Sequence, residues 1–326
     1  MKRWLGILLT AVLAVGLMVV GCAKTTTETT KPKSEVQKLK VITSFYPMYE
    51  FARQVGKDKV DVKALVPVGV EPHDWEPTPQ DMAALQAAKV FIYNGAGFEH
   101  WVDKVLANIQ NPSMVVTETT QGLELIAAVQ EEDEHGHEHG EQQSHKAEAN
   151  EEKDPHVWVD PVAAQHQVRM VRDALIKADP ANQGYYEENA AQYISKLQTV
   201  DAEYRESIAR ARHKSFITSH AAFNYLAKRY NLEQIPISGM APNTEPSPER
   251  LRELIEETKE RQLKYIFFET LVSPKVAEIV AKEAGVKTLV LNPLEGLTKE
   301  DAAAGKDLIT LMRENLANLK LALEAK

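Results

Sequence analysis

The 326-residue chain sets 38 Lys and Arg against 47 Asp and Glu, and the net charge of −9 argues against a nucleic-acid binder while suiting a cationic ligand. Its 44% hydrophobic and 26% charged residues are those of a soluble globular protein, and the length leaves room for two domains. A single cysteine excludes an internal disulfide.

Lys2 and Arg3 open the chain, and the apolar run "WLGILLTAVLAVGLMVVG" closes on the small Gly21. This is a secretory signal pattern over residues 1–21, with an uncleaved membrane anchor as the alternative. Cys22 stands at the cleavage point, where "VVGC" resembles the lipobox of bacterial lipoproteins. That resemblance implies that Cys22 is lipidated and becomes the new N-terminus. Residues 22–38 are Thr- and Lys-rich without periodicity, which suits a flexible tether. The expectation is an extracytoplasmic protein, lipid-anchored to the bacterial cell membrane.

From Leu39 short apolar runs alternate with helical stretches, the signature of α/β layering. "KVITS", "VDVKALV", "VFIYNG" and "MVVTE" read as strands of a first lobe; "SFITS", "EQIPIS", "YIFFET" and "KTLVLN" read as strands of a second. A weak internal repeat relates the halves: "VITSFYPMYEFARQVG" matches "FITSHAAFNYLAKRYN" at an offset of 175 residues. Thr78 before Pro79 and Ser247 before Pro248 mark equivalent helix starts. Between the lobes, Tyr185 to Ser215 holds no Gly or Pro. There Tyr186, Tyr193, Leu197, Val200, Tyr204 and Ile208 recur at three- and four-residue steps. This predicts a strut helix of about 28 residues, roughly 42 Å long at 1.5 Å per residue. The fold class is therefore α/β, with two similar lobes, each a parallel-type sheet flanked by helices, joined by one long rigid helix. The lobes are expected at 39–180 and 214–326, the linking helix at 181–213, and a ligand cleft between the lobes.

Within the first lobe, "EEDEHGHEHGEQQSH" packs His135, His137, His139 and His145 among acidic residues, inside a polar loop spanning 131–152. Such a tract cannot bury a core; it reads as an accessory metal-chelating segment, with an inert spacer as the alternative. His73, His156 and His220 lie instead in loops, two of them at carboxyl ends of strands, the edge where open α/β sheets bind ligands. Glu295 follows the last strand of the second lobe. Three imidazoles and a carboxylate would make a four-coordinate site of the kind that suits Zn²⁺. Glu71 and a water are rivals for the fourth place. Asp154 and Asp160 are candidates to orient His156, or are helix caps. His100 reads as a packing or capping residue, and His166 and His213 as exposed. No phosphate-binding loop is present, so energy for transport would come from another subunit.

The motifs "EPHDWEPTPQD", "DPHVWVDP", "ITSHAAFNYLAKRY" and "LNPLEGLT", in this order behind a lipobox, resemble the zinc-binding lipoproteins of metal-specific ABC importers. The resemblance runs from Leu39 to the C-terminus and implies that His73, His156 and His220 are zinc ligands, with Glu295 as the glutamate of the "NPLE" subgroup. Manganese-binding relatives typically carry a glutamate at position 220 and an aspartate near the end of the last strand; here stand His220 and Asn292. The implied function is capture of Zn²⁺ and delivery to an ABC permease with a separate ATPase, by a monomer that is not an enzyme and binds no nucleic acid. A manganese-binding paralogue, a zinc-dependent hydrolase and an adhesin are the alternatives.

Overall fold

The computed structural model describes residues 38–129 and 152–325. The first half runs β1 (Leu39–Thr43), α1 (Tyr46–Gly56), β2 (Val60–Ala64), α2 (Pro79–Gln86), β3 (Val90–Tyr93), α3 (Val102–Asn108) and β4 (Val115–Glu118). Two long helices follow, α4 (Pro161–Ala178) and α5 (Gln183–Ala209). The second half runs β5 (Ser215–Thr218), α6 (Asn224–Tyr230), β6 (Glu233–Pro236), α7 (Pro248–Glu260), β7 (Tyr265–Phe268), α8 (Lys275–Ala284), β8 (Lys287–Val290), α9 (Lys299–Ala303) and α10 (Leu308–Ala322). The eight strands among the described residues all fall on the apolar runs that announce them in the sequence. Parallel strands covered on both faces read as continuous Val, Ile and Phe.

Each half folds into a four-stranded parallel sheet, with orders β2-β1-β3-β4 and β6-β5-β7-β8. The order is the same in both, as the internal repeat requires. The repeated helix starts also hold. Thr78 caps α2 through a reciprocal pair with Asp81, and the Ser247 hydroxyl accepts from the Arg250 N–H at the start of α7. Gly285 ends α8 with a left-handed φ of 77°, where a side chain would be strained.

The predicted strut is α5, 27 residues and about 40 Å long. Its stripe of Tyr186, Tyr193, Leu197, Val200, Tyr204 and Ile208 is buried throughout. Near its N-terminal end Asn189 Nδ2 donates to Val55 O of α1 at 3.0 Å; near the other, the Tyr204 hydroxyl donates to Met312 O of α10 at 2.7 Å. One helix is thus fastened to both lobes, and a single hydrophobic core runs through α1, α4, α5 and α10. The helix stops short of Ser215 because the Arg212 and His213 N–H groups turn to Leu323 O instead of continuing the helical ladder. Among the described residues no helix is long and apolar enough to cross a membrane.

Candidate metal centre

Four side chains from the two lobes converge: one ligand atom each from His73, His156, His220 and Glu295 lies within 4.8 Å of all the others. Among the described residues this is the group suited to hold a metal ion. His73 comes from the loop after β2, and its N–H donates to Glu71 Oε1 at 3.0 Å. His156 stands before α4, with its ring against Phe98 and Trp158. His220 follows β5, and its carbonyl accepts from the Thr218 hydroxyl and Gln234 Nε2, both at 2.7 Å.

Glu295 is delivered by a tight turn after β8. Asn292 Oδ1 accepts from the Leu294 N–H at 2.7 Å, and the Asn315 side chain holds Asn292 by both its backbone groups at 2.7 and 2.8 Å. Trp158 Nε1 reaches over from the first lobe to Pro293 O at 2.8 Å. Leu294 takes a left-handed φ of 65°, unfavourable for a branched side chain, and these bonds hold it there. Asn292 therefore shapes the turn and does not stand among the four converging groups.

The two most buried imidazoles are set by the same device. One Asp154 oxygen, Oδ1, accepts from the His156 N–H at 2.9 Å and lies 2.8 Å from its Nδ1. Glu269 accepts from the His220 N–H at 3.0 Å through Oε1 and lies 2.7 Å from its Nδ1 through Oε2. Each carboxylate assigns the proton to Nδ1 and leaves the Nε2 lone pair facing the centre. His220 Nε2 is buried with no hydrogen-bond partner, as a ligand nitrogen should be.

Spacing separates one metal from another. Glu295 Oε1 stands 3.4 Å from His73 Nε2 and 3.5 Å from His156 Nε2 and His220 Nε2, while His73 and His156 Nε2 are 3.4 Å apart. A tetrahedron with bonds of about 2.0–2.1 Å has edges of about 3.3–3.4 Å. The larger, oxygen-preferring Ca²⁺, at about 2.3–2.6 Å, would need a wider cage. With three imidazole nitrogens, one carboxylate and four of its six separations near that length, this group fits a zinc-binding site.

Electrostatics follows from burial among opposite charges. Burial alone pushes the His220 imidazole down, but the Glu269 and Glu295 carboxylates outweigh it and raise it to about 10. His156 moves upward for the same reason, with burial opposed by Asp154 and Glu295. For Glu295 burial works upward, yet the three imidazoles hold it well below the usual carboxylate range.

The other sequence candidates sort plainly. Glu71 is outside the converging group; its Oε2 is buried without a partner, and burial raises its carboxyl. Asp154 positions His156, whereas Asp160 caps α4 through the Val162 N–H and pairs with Arg229 at 2.7 Å. His100 is exposed beside Glu76, at 3.7 Å. His166 and His213 are half-buried instead of exposed, because His166 Nε2 bonds Gln121 O and His213 lies against Glu324. Cys22 and His135, His137, His139 and His145 lie outside the described residues. Glu269 is the residue the sequence reading passed over, although it ends a strand at the same sheet edge as His220.

A sequence profile for the family described as "Zinc-uptake complex component A periplasmic" matches residues 41–322. The chain belongs to this family. It is a family of zinc-uptake binding components, not of enzymes. The chain is 44% identical to the high-affinity zinc uptake system protein ZnuA of Bacillus subtilis (strain 168), over 100% of this chain and 99% of that one. It is also 44% identical to the zinc-binding lipoprotein AdcA of Streptococcus pneumoniae (strain ATCC BAA-255 / R6), over 87% of this chain but only 55% of AdcA. The crystal structure of the Zn(II)-bound ZnuA-like domain of Streptococcus pneumoniae AdcA superposes with a TM-score of 0.74. Its identity is 41%, over 88% of this chain and 100% of that one. The two-lobed fold is shared with this zinc-bound neighbour.

Proposed function

We propose that the protein is an extracytoplasmic solute-binding protein that captures one Zn²⁺ between its lobes, on His73, His156, His220 and Glu295. It hands the ion to an ABC permease driven by a separate ATPase. The observation that carries this reading is the convergence of four buried or nearly buried ligand atoms within 4.8 Å of one another, with Glu295 Oε1 3.4–3.5 Å from all three imidazole nitrogens. Three imidazoles and one carboxylate favour zinc over manganese, which prefers oxygen. With all four places taken by side chains, no open position remains for a catalytic water.

In this reading the protein works as a monomer, anchored through lipid on Cys22 after removal of residues 1–21 and reaching from the membrane on residues 22–38. Residues 39–180 and 214–326 form the lobes, and 181–213 the connection. The histidines of residues 131–145 add weaker sites that concentrate Zn²⁺ nearby. Metal analysis of the chelated and reloaded protein tests the core of the proposal: about one tightly held Zn²⁺ per chain is expected. His220→Ala should weaken that binding by more than about 100-fold in competitive titration, beyond what loss of a supporting residue costs. Unchanged affinity in this variant would remove His220 from the ligand set.

A further inference from the structure

Glu295 borders a second space. A pocket of about 480 Å³ opens between the lobes, with α1 and the residues after β2 on one side and Glu295 to Lys306 on the other. None of the three imidazoles lines it. Much of its wall is apolar, including Val66, Leu297 and Ala302. Set into that wall are donors with unused capacity. Arg53 spends Nε and Nη2 on Glu50 Oε2, at 3.1 and 2.8 Å, while Nη1 has no partner among the described residues and the side chain is half exposed. Tyr46, nine-tenths buried in the same wall, has a hydroxyl with no hydrogen-bond partner. The acceptors nearby are already engaged: Glu50 takes Arg53 and Gln54, and Glu295 faces the imidazoles.

Spare donors on apolar walls call for an occupant with acceptor oxygens and an apolar body. We propose that this pocket binds a small organic carboxylate, its body against Val66, Leu297 and Ala302 and its oxygens accepting from Arg53 Nη1 and the Tyr46 hydroxyl. The pocket's own binding does not rest on the ligand set proposed above.

Phenylacetate is the probe, titrated by calorimetry into metal-free and zinc-loaded protein, with benzyl alcohol and 2-phenylethylamine as neutral and cationic counterparts. Saturable binding of phenylacetate is expected, at least about tenfold tighter than either counterpart, the margin of one charge-assisted hydrogen bond. Ala302→Trp fills the pocket and should abolish it. Tyr46→Phe removes only a partnerless hydroxyl and should weaken it several-fold. Both variants should still bind one Zn²⁺. If Ala302→Trp fails to fold by circular dichroism, Ala302→Leu serves in its place. No saturable phenylacetate binding, equal binding of the amine, or binding indifferent to both pocket variants overturns the proposal. Phenylacetate binding to metal-free protein that persists in His220→Ala separates the pocket from the zinc reading. Failure of zinc binding alone would leave it intact.

Discussion

A carboxylate that grips a histidine by both its backbone N–H and its Nδ1 recurs on the two sides of the centre, in Asp154 and Glu269. Glu269→Gln keeps the shape but offers one acceptor where His220 presents two donors, so either the backbone or the ring loses its partner. Zinc affinity should fall by about 10–100-fold, the usual cost of a lost supporting partner, in competition with a chromophoric chelator. Affinity within twofold of the wild type would show that Glu269 does not set the ring. The same carboxylates dictate the pH response. In the metal-free fold His220, raised from 6.5 to about 10, adds stability that is fully present below 6.5 and lost as pH rises through about 10. Glu295 works oppositely: its contribution is present above 4.5 and lost as pH falls through its depressed value. Zinc requires the neutral imidazole, so apparent affinity should climb with pH towards about 10, and binding at neutral pH should release a proton. Calorimetry in two buffers of different ionisation heat reads that proton directly; heats independent of buffer would contradict it. The four converging residues were legible from the motifs that carry the family resemblance; their loops beside a sheet edge or lobe boundary signal chemistry only weakly, since no local motif links them. Glu269 lies at such an edge too, but a lone carboxylate after a strand looks like surface until its partner across 49 positions is known.

At the scale of elements, α5 carries most of the mechanical argument. Leu197 lies midway along its stripe and is fully buried. Leu197→Ala should cost about 2–5 kcal/mol in urea denaturation, because the helix is fastened at both ends and cannot collapse into the gap. The zinc stoichiometry of the folded variant should stay at one; a loss of metal binding in the folded state would mean that the helix shapes the centre directly. The helix itself was readable from its apolar spacing. Its end was not, since the turn to Leu323 O depends on a residue more than a hundred positions away. Strand positions were readable for the opposite reason: their apolar runs are local, and the repeat supplied the second sheet once the first was recognised. Sheet order is not written locally, yet both sheets came out alike.

For the whole molecule, the division between tight site and His-rich segment makes a clean prediction. Removing residues 131–145 should leave the tight site intact while abolishing weaker additional Zn²⁺ uptake, both read from one titration. Loss of the tight phase would place part of the site in that segment. The lobes also meet unevenly. On one margin α6 is stitched to the first lobe: Asn224 to Asp154 at 2.9 Å, the Tyr225 hydroxyl to Asp154 O at 2.8 Å, and Arg229 to Asp160. These hold the His156 loop to the second lobe. On the other margin lie the backbone bond from Gly69 to Leu297 O at 2.9 Å and the exposed contact of Asn243 with Asp74 at 2.8 Å. His73 sits on that margin, the most exposed of the four converging side chains, with no hydrogen-bond partner for its Nδ1 among the described residues. If the lobes part, they part like a book along its fore-edge, and the coordination shell divides three against one. His156, His220 and Glu295 stay together as a tripod, while His73 leaves with its page. Cargo would then depart past a single lifted imidazole, and the work asked of a docking partner shrinks to freeing one loop.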